Sequence, residues 1–313
     1  MLTIFAIVSI LYLISSNNID GKIVGGYWPN WVDSPIRIRD VNMNYNLIYL
    51  FRAQPVGGPP GTTGEVYFNR PRDGRGANTH LKEDILYAKT VQNRSIILSV
   101  GGAKNGMSFP NRTKSQTFVN SIVSLQEKIG AFNGLDWNTF EAKQAPDTTD
   151  EMIWISLELK RRYPGFLITA PPAAWNKRDL AFCQAMVQAG AMDYAAPQYY
   201  SGLNLANQSY IVNNIDRWVS ALGVSHVVVG FGINPGVRNY MTVDQAVATW
   251  KELRNKYPDL RGVFGWQIHK DEALGWGFAN NVGPLVTVTT NDCQPFFSFM
   301  LSFLSFLFSP FFL

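Results

Sequence analysis

The chain has 313 residues, 46% of them hydrophobic and 16% charged, with a net charge of +4. That is enough apolar material to bury a large core, and it excludes a disordered chain. The charge is mild and scattered, with Lys160, Arg161 and Arg162 the longest basic run, so nucleic acid is not an expected partner.

Residues 2 to 14, LTIFAIVSILYLI, form an apolar run followed by Ser15 and Ser16. Its length and the small residues after it predict a signal peptide over residues 1–16, although no positive charge precedes the run. A short membrane anchor is the alternative, disfavoured because the run is short for a bilayer. From residue 22 onward, β-rich apolar runs recur: KIVGGYW (22–28), NLIYLF (46–51), SIILSVGG (95–102), FNGLDW (132–137), GFLITAPP (165–172), MDYAAPQYY (192–200), HVVVGFG (226–232) and GVFGWQI (262–268). Helical patterns separate most of them, among them TKSQTFVNSIVSLQEKIG, TDEMIWISLELKRRYP and TVDQAVATWKELRNKYP. Thr149 and Thr242 are the expected capping residues.

Strands alternating with helices imply parallel βαβ units. Eight of them predict an α/β fold, a (β/α)8 TIM barrel in one domain over residues 20–288. A doubly wound open sheet is the alternative, but no Gly-rich phosphate fingerprint opens any helix. The segment 53–80 reads as one long irregular loop standing over the active face.

Residues 289–313 form a hydrophobic C-terminal tail, uncharged from Phe296 onward. Three readings stay open: a lipid-anchor signal with attachment near Asn291, Asp292 or Cys293, a membrane segment, or an artefact of the gene model. The two cysteines, Cys183 and Cys293, make no disulfide framework, and no metal-ligand spacing occurs. Sequons at Asn93, Asn111 and Asn207 fit a secreted glycoprotein. A secreted or surface-anchored monomer without cofactor or metal is the expectation.

In a barrel, function gathers where strands end. There the sequence places Tyr27, Trp28 and Trp31, Phe51, Ser99 with Gly101 and Gly102, Asp136 to Glu141, Trp175, Gln198 with Tyr199 and Tyr200, and Trp266 with Gln267. This acidic, aromatic and amide-rich set suits a neutral sugar polymer. Aromatic faces stack on sugar rings, amides bind hydroxyls, and a carboxylic acid protonates a glycosidic oxygen. His80, His226 and His269 are dispersed and support neither a zinc site nor a Ser-His triad.

The motifs KIVGGYWPNW, ILSVGG, FNGLDWNTFE, DYAAPQYY and GVFGWQI, taken in order over residues 22–286, resemble glycoside hydrolase family 18, the chitinases and chitinase-like proteins. The resemblance implies hydrolysis of β-1,4 linkages in chitin or related N-acetylglucosamine polymers by substrate-assisted retaining catalysis. It makes Glu141 the general acid, Tyr200 the contact to the substrate acetamido group and Trp266 the floor under the sugar. Asp136 and Asn138 are the remaining candidates of the acidic array. Tyr27, Trp28, Phe51, Gly101, Trp175, Gln198, Tyr199 and Trp266 are the expected sugar-binding residues.

The family pattern D-G-x-D-x-D-x-E is altered here. Asn133 and Asn138 replace two aspartates, and one extra residue precedes Glu141. On a regular strand Glu141 would point away from Asp136 and Asn138. A bulge near Asn138 and Thr139 would turn it back. Alternatively the array aligns from its end, with Trp137 and Thr139 in the aspartate positions. A non-catalytic glycan-binding lectin, or a hydrolase of the N-glycan core, are the alternatives to a chitin hydrolase.

Overall fold

The computed structural model describes residues 21–61, 63–140 and 148–287. The expected signal, the tail with Asn291, Asp292 and Cys293, and Glu141 itself lie outside the described residues.

The chain opens with β1 (Ile23–Pro29), β2 (Leu47–Pro55) and the short β3 (Val66–Phe68). There follow α1 (Leu81–Thr90), β4 (Ser95–Gly101), α2 (Arg112–Ile129), β5 (Gly134–Asn138), α3 (Thr148–Arg162), β6 (Leu167–Ala170) and α4 (Lys177–Gln188). The second half holds β7 (Tyr194–Ala195), β8 (Gln198–Tyr199), α5 (Gln208–Leu222), β9 (Val228–Gly232), α6 (Val243–Lys256) and β10 (Gly262–Trp266). Short helices α7 (Ile268–Ala273), α8 (Gly277–Asn281) and α9 (Gly283–Thr287) complete it.

Hydrogen-bonded neighbours run β7-β6-β5-β4-β2-β1-β10-β9-β8, with β3 attached to β2. The first and last strands of this path are two pieces of one expected strand, broken at Pro197, which has no N–H to donate. The path therefore returns on itself. Ala195 bridges Val227, and the Pro197 carbonyl accepts from Gly230 N at 3.0 Å. The result is the (β/α)8 barrel, in which all strand pairs except β2–β3 are parallel.

Both faces of each barrel strand are covered, which is why the strands read as continuous apolar runs rather than alternating ones. Tyr27, Tyr49, Phe51, Tyr194, Tyr200 and Phe264 fill the barrel from inside. Their chain neighbours Trp28, Ile48 and Leu50 pack outward under the helices, as do Leu98, Leu135 and Trp137. This two-residue alternation sets which side chains can reach a substrate.

Two expectations need correction. Thr149 is not a helix cap: α3 begins at Thr148, whose buried hydroxyl accepts from Phe109 N. Thr242 does cap α6, in a reciprocal capping box with Gln245. Nor is 53–80 wholly irregular. β2 continues to Pro55, and β3 folds back on it with Ala53 opposite Phe68. Beyond the barrel only one face of β2 is covered, so Arg52 and Gln54 are half-exposed between buried neighbours, a strand pattern easily taken for a loop. Helix α1 is absent from the expected elements, because its buried side is little more than Leu81, Ile85 and Ala88.

Candidate active site

Asp136 lies on the inner face of β5, in register with Ser99 of β4 and Thr169 of β6. Three hydroxyls converge on its carboxylate. Ser99 Oγ donates to Oδ2 at 2.6 Å, Tyr27 OH to Oδ2 at 2.9 Å, and Thr169 Oγ1 to Oδ1 at 2.7 Å. Asp136 is buried, and burial pushes its pKa up to about 6 against the downward pull of these donors. Burial, and then the neighbouring Asp136, push the Tyr27 phenol well above its ordinary value. Tyr27 stacks on Tyr49 at 4.3 Å, and the Tyr49 and Tyr194 hydroxyls are 3.0 Å apart. The base of the site is thus a connected hydroxyl network around one carboxyl.

Above it lies an aromatic floor. Trp266, at the end of β10, is parallel to Tyr200 with centroids 6.1 Å apart, 5.4 Å from Tyr27 and edge-on to Phe51 at 5.1 Å. Trp31, half exposed after β1, extends the group, 6.4 Å from Trp266. Tyr200 has room because β9 carries Gly232 opposite it, where a Cβ would come within 2.4 Å of the tyrosine Cβ. Trp266 and Tyr200 offer a partly exposed ring beside a hydroxyl, an arrangement able to seat a sugar face.

The structure brings Asp136, Tyr27, Phe51, Tyr200 and Trp266 together. Asn138 is half-buried at the end of β5, and its carbonyl accepts from Gly102 N at 2.6 Å. Gly101 has φ +103°, and a Cβ there would lie 2.1 Å from the Asn138 carbonyl oxygen. Its missing side chain lets β4 and β5 close at the mouth. Gln198 donates its amide to the Pro171 carbonyl, and Trp175 is exposed on the loop after β6.

Trp28 and Tyr199 do not belong to the site. Trp28 packs outward, its indole N–H held by the Ile36 carbonyl at 2.8 Å. Tyr199 also faces outward and donates its hydroxyl to Asn214 of α5 at 3.0 Å. Each sits beside an inward tyrosine, Tyr27 and Tyr200, so strand alternation sends it the other way. Tyr199→Phe should cost about 1 kcal/mol of stability, the worth of one hydrogen bond, read from denaturant unfolding, and leave the inward-facing residues undisturbed.

Sequence reasoning missed Thr169, Tyr49 and Tyr194. Thr169 was within reach, since it follows Leu167 by two in a buried strand and so shares that residue's inward face. The structure also accounts for Asn133. Its amide accepts from Ile96 N at 2.6 Å and donates to Ser95 Oγ at 3.3 Å, which ties β4 to the start of β5 far from the mouth. A carboxylate could not do both.

Phe140 is the informative neighbour of the altered motif. Its ring meets Phe182 of α4 edge-on at 5.6 Å, in the outer layer. Asp136 faces the barrel interior. β5 ends at Asn138, so Phe140 lies in the turn beyond it, where strand alternation no longer sets its facing.

No protein-family model matches the chain. Among curated proteins it is similar to a chitinase of Paenibacillus xylanexedens, 26% identical over an alignment of 187 positions that covers 55% of this chain and 32% of that protein. It is also similar to endochitinase 4 of Metarhizium robertsii, 23% identical, covering 84% of this chain and 88% of that one. Its fold is shared by a Streptomyces coelicolor structure described as a putative chitinase A, with TM-score 0.71, 22% identity and coverage of 85% and 98%. It is shared too by a xylanase and α-amylase inhibitor protein from Scadoxus multiflorus, with TM-score 0.64, 16% identity and coverage of 83% and 97%. The curated matches and the shared barrel support the resemblance of the ordered strand motifs to glycoside hydrolase family 18, the chitinases and chitinase-like proteins.

Proposed function

We propose that this protein hydrolyses β-1,4 linkages in chitin or related N-acetylglucosamine polymers, with Glu141 as general acid. The aromatic floor of Tyr200 and Trp266 beside the buried Asp136 carboxyl supports this reading. The linkage oxygen takes its proton from Glu141. The substrate's own acetamido oxygen attacks the anomeric carbon, with retention of configuration. Tyr200 donates to that acetamido carbonyl and Trp266 carries the sugar ring. Asn138 stands where the family has an aspartate. It can hydrogen-bond the acetamido group but offers it no negative charge.

A secreted or surface-anchored monomer belongs to the same proposal, on the composition of the two apolar runs. Asn138 favours a second reading, a glycan-binding protein without turnover, and one barrel of this shape is an inhibitor protein.

Turnover of a neutral N-acetylglucosamine oligosaccharide by the full chain separates these readings. Release of shorter β-configured sugars supports the hydrolase. Binding without release supports the binder, and cleavage of an N-glycan core alone points to a third substrate. Tyr200→Phe should lower kcat roughly 10- to 100-fold with little change in KM, because the lost hydroxyl acts on charge that develops in the reaction.

A further inference from the structure

We infer that the cleft beside the aromatic floor is a subsite for a sugar bearing an anionic group, a carboxylate or a sulfate. The inference rests on the glycan-hydrolase reading and adds a substrate class to it. The cleft has a volume of about 490 Å³, within the range of ligand sites, and Trp31 forms the wall it shares with the floor. Three arginines line it, Arg52, Arg70 and Arg72, and among the described residues its lining includes no carboxylate.

Arg52, in the lining of the cleft, has its guanidinium 5.5 Å from both the Trp31 and Phe51 rings. Arg70 donates to the Lys128 carbonyl at 2.5 Å, a neutral partner that leaves its charge in place. Arg72 pairs at 3.1 Å with Asp33 on the rim, and both are largely exposed, so that pair exchanges readily for another anion. Asn30 ties the two walls by donating to the carbonyls of Arg52 at 3.1 Å and Asn69 at 2.6 Å. A neutral polymer needs amides and aromatic rings, and both are present. It does not need three guanidinium groups, whose planar forks match carboxylate and sulfate oxygens. A sugar stacked on Trp31 would carry its charged substituent toward them.

The test uses three N-acetylglucosamine tetrasaccharides: one neutral, one 6-O-sulfated and one oxidised at C6 to a carboxylate. Affinities are measured by calorimetry with full-length Glu141→Gln protein, with and without Arg70→Gln and Arg72→Gln. At low salt at least one charged oligosaccharide should bind about tenfold tighter than the neutral one. That preference should shrink as salt rises from about 50 to about 500 mM, and fall to about twofold in the arginine variant. The arm with the larger preference identifies the anion. Equal affinities, a preference that survives the arginine substitutions, or no binding of any of the three would overturn the inference. Turnover of the neutral oligosaccharide by the unmodified chain is recorded separately and decides the hydrolase reading by itself.

Discussion

Glu141→Gln is expected to lower hydrolysis of a neutral N-acetylglucosamine oligosaccharide by roughly 10²- to 10⁴-fold, the usual worth of a positioned general acid. Glutamine keeps the size and polarity of the side chain and removes its proton, so binding should persist while kcat falls. A further measurement makes the assignment specific. An aryl glycoside with a good leaving group needs little protonation, so the same substitution should cost far less on that substrate. A variant that cleaves both substrates as well as the unmodified chain would remove Glu141 from the chemistry. Equal losses on both would make it a binding or structural residue. Asn133 and Asn138 frame what is asked of this residue. Asn133 is a structural tie between strands and takes no part at the mouth. Asn138 removes one carboxylate from the array, and with it a neighbouring negative charge that would raise the acid's pKa.

Asp136→Asn should stabilise the protein at neutral pH by roughly 3 kcal/mol relative to its effect at pH 4, at about 1.4 kcal/mol for each pH unit separating the folded and unfolded pKa values. The folded-state pKa of Asp136 is raised to about 6 by burial, from 3.8. Below about pH 4 the carboxyl is neutral in both folded and unfolded chains and carries no penalty. As pH rises through the interval to 6, the unfolded chain ionises first and stability is lost. Above the folded pKa the loss levels off. Asparagine does not titrate, so the difference between variant and unmodified protein isolates this one group. Its amide is accommodated if Ser99 or Thr169 turns its hydroxyl to accept instead of donate. Thermal unfolding of the two proteins from about pH 4 to about pH 7.5 should show their midpoints moving relative to one another by about 6 °C in favour of the variant at the upper end. A difference that does not change with pH would mean that the three hydroxyls hold Asp136 ionised and that burial does not dominate. On the proposed hydrolase reading, the substitution also removes the carboxyl beside Tyr200 and Trp266, so turnover should fall even where stability rises, a conflict between function and stability at one site.

The barrel was legible in the sequence because its physics is local and repetitive. Strands covered on both faces must be apolar throughout, as IVGGYWP and SIILSVG are. The intervening helices carry their own caps, as at Thr242. The inward and outward sides of those strands were legible in principle too, since alternation alone removes Trp28 and Tyr199 once Tyr27 and Tyr200 face in. Two things depended on tertiary structure. One is register between strands that are distant in sequence, which alone sets Ser99, Asp136 and Thr169 side by side and brings Tyr27 onto the same carboxylate. The other is the facing of the chain after Asn138. There the strand ends, which residue order does not show, and Phe140 packs outward on Phe182. Both are properties of contacts between elements, and no period within a single element encodes them.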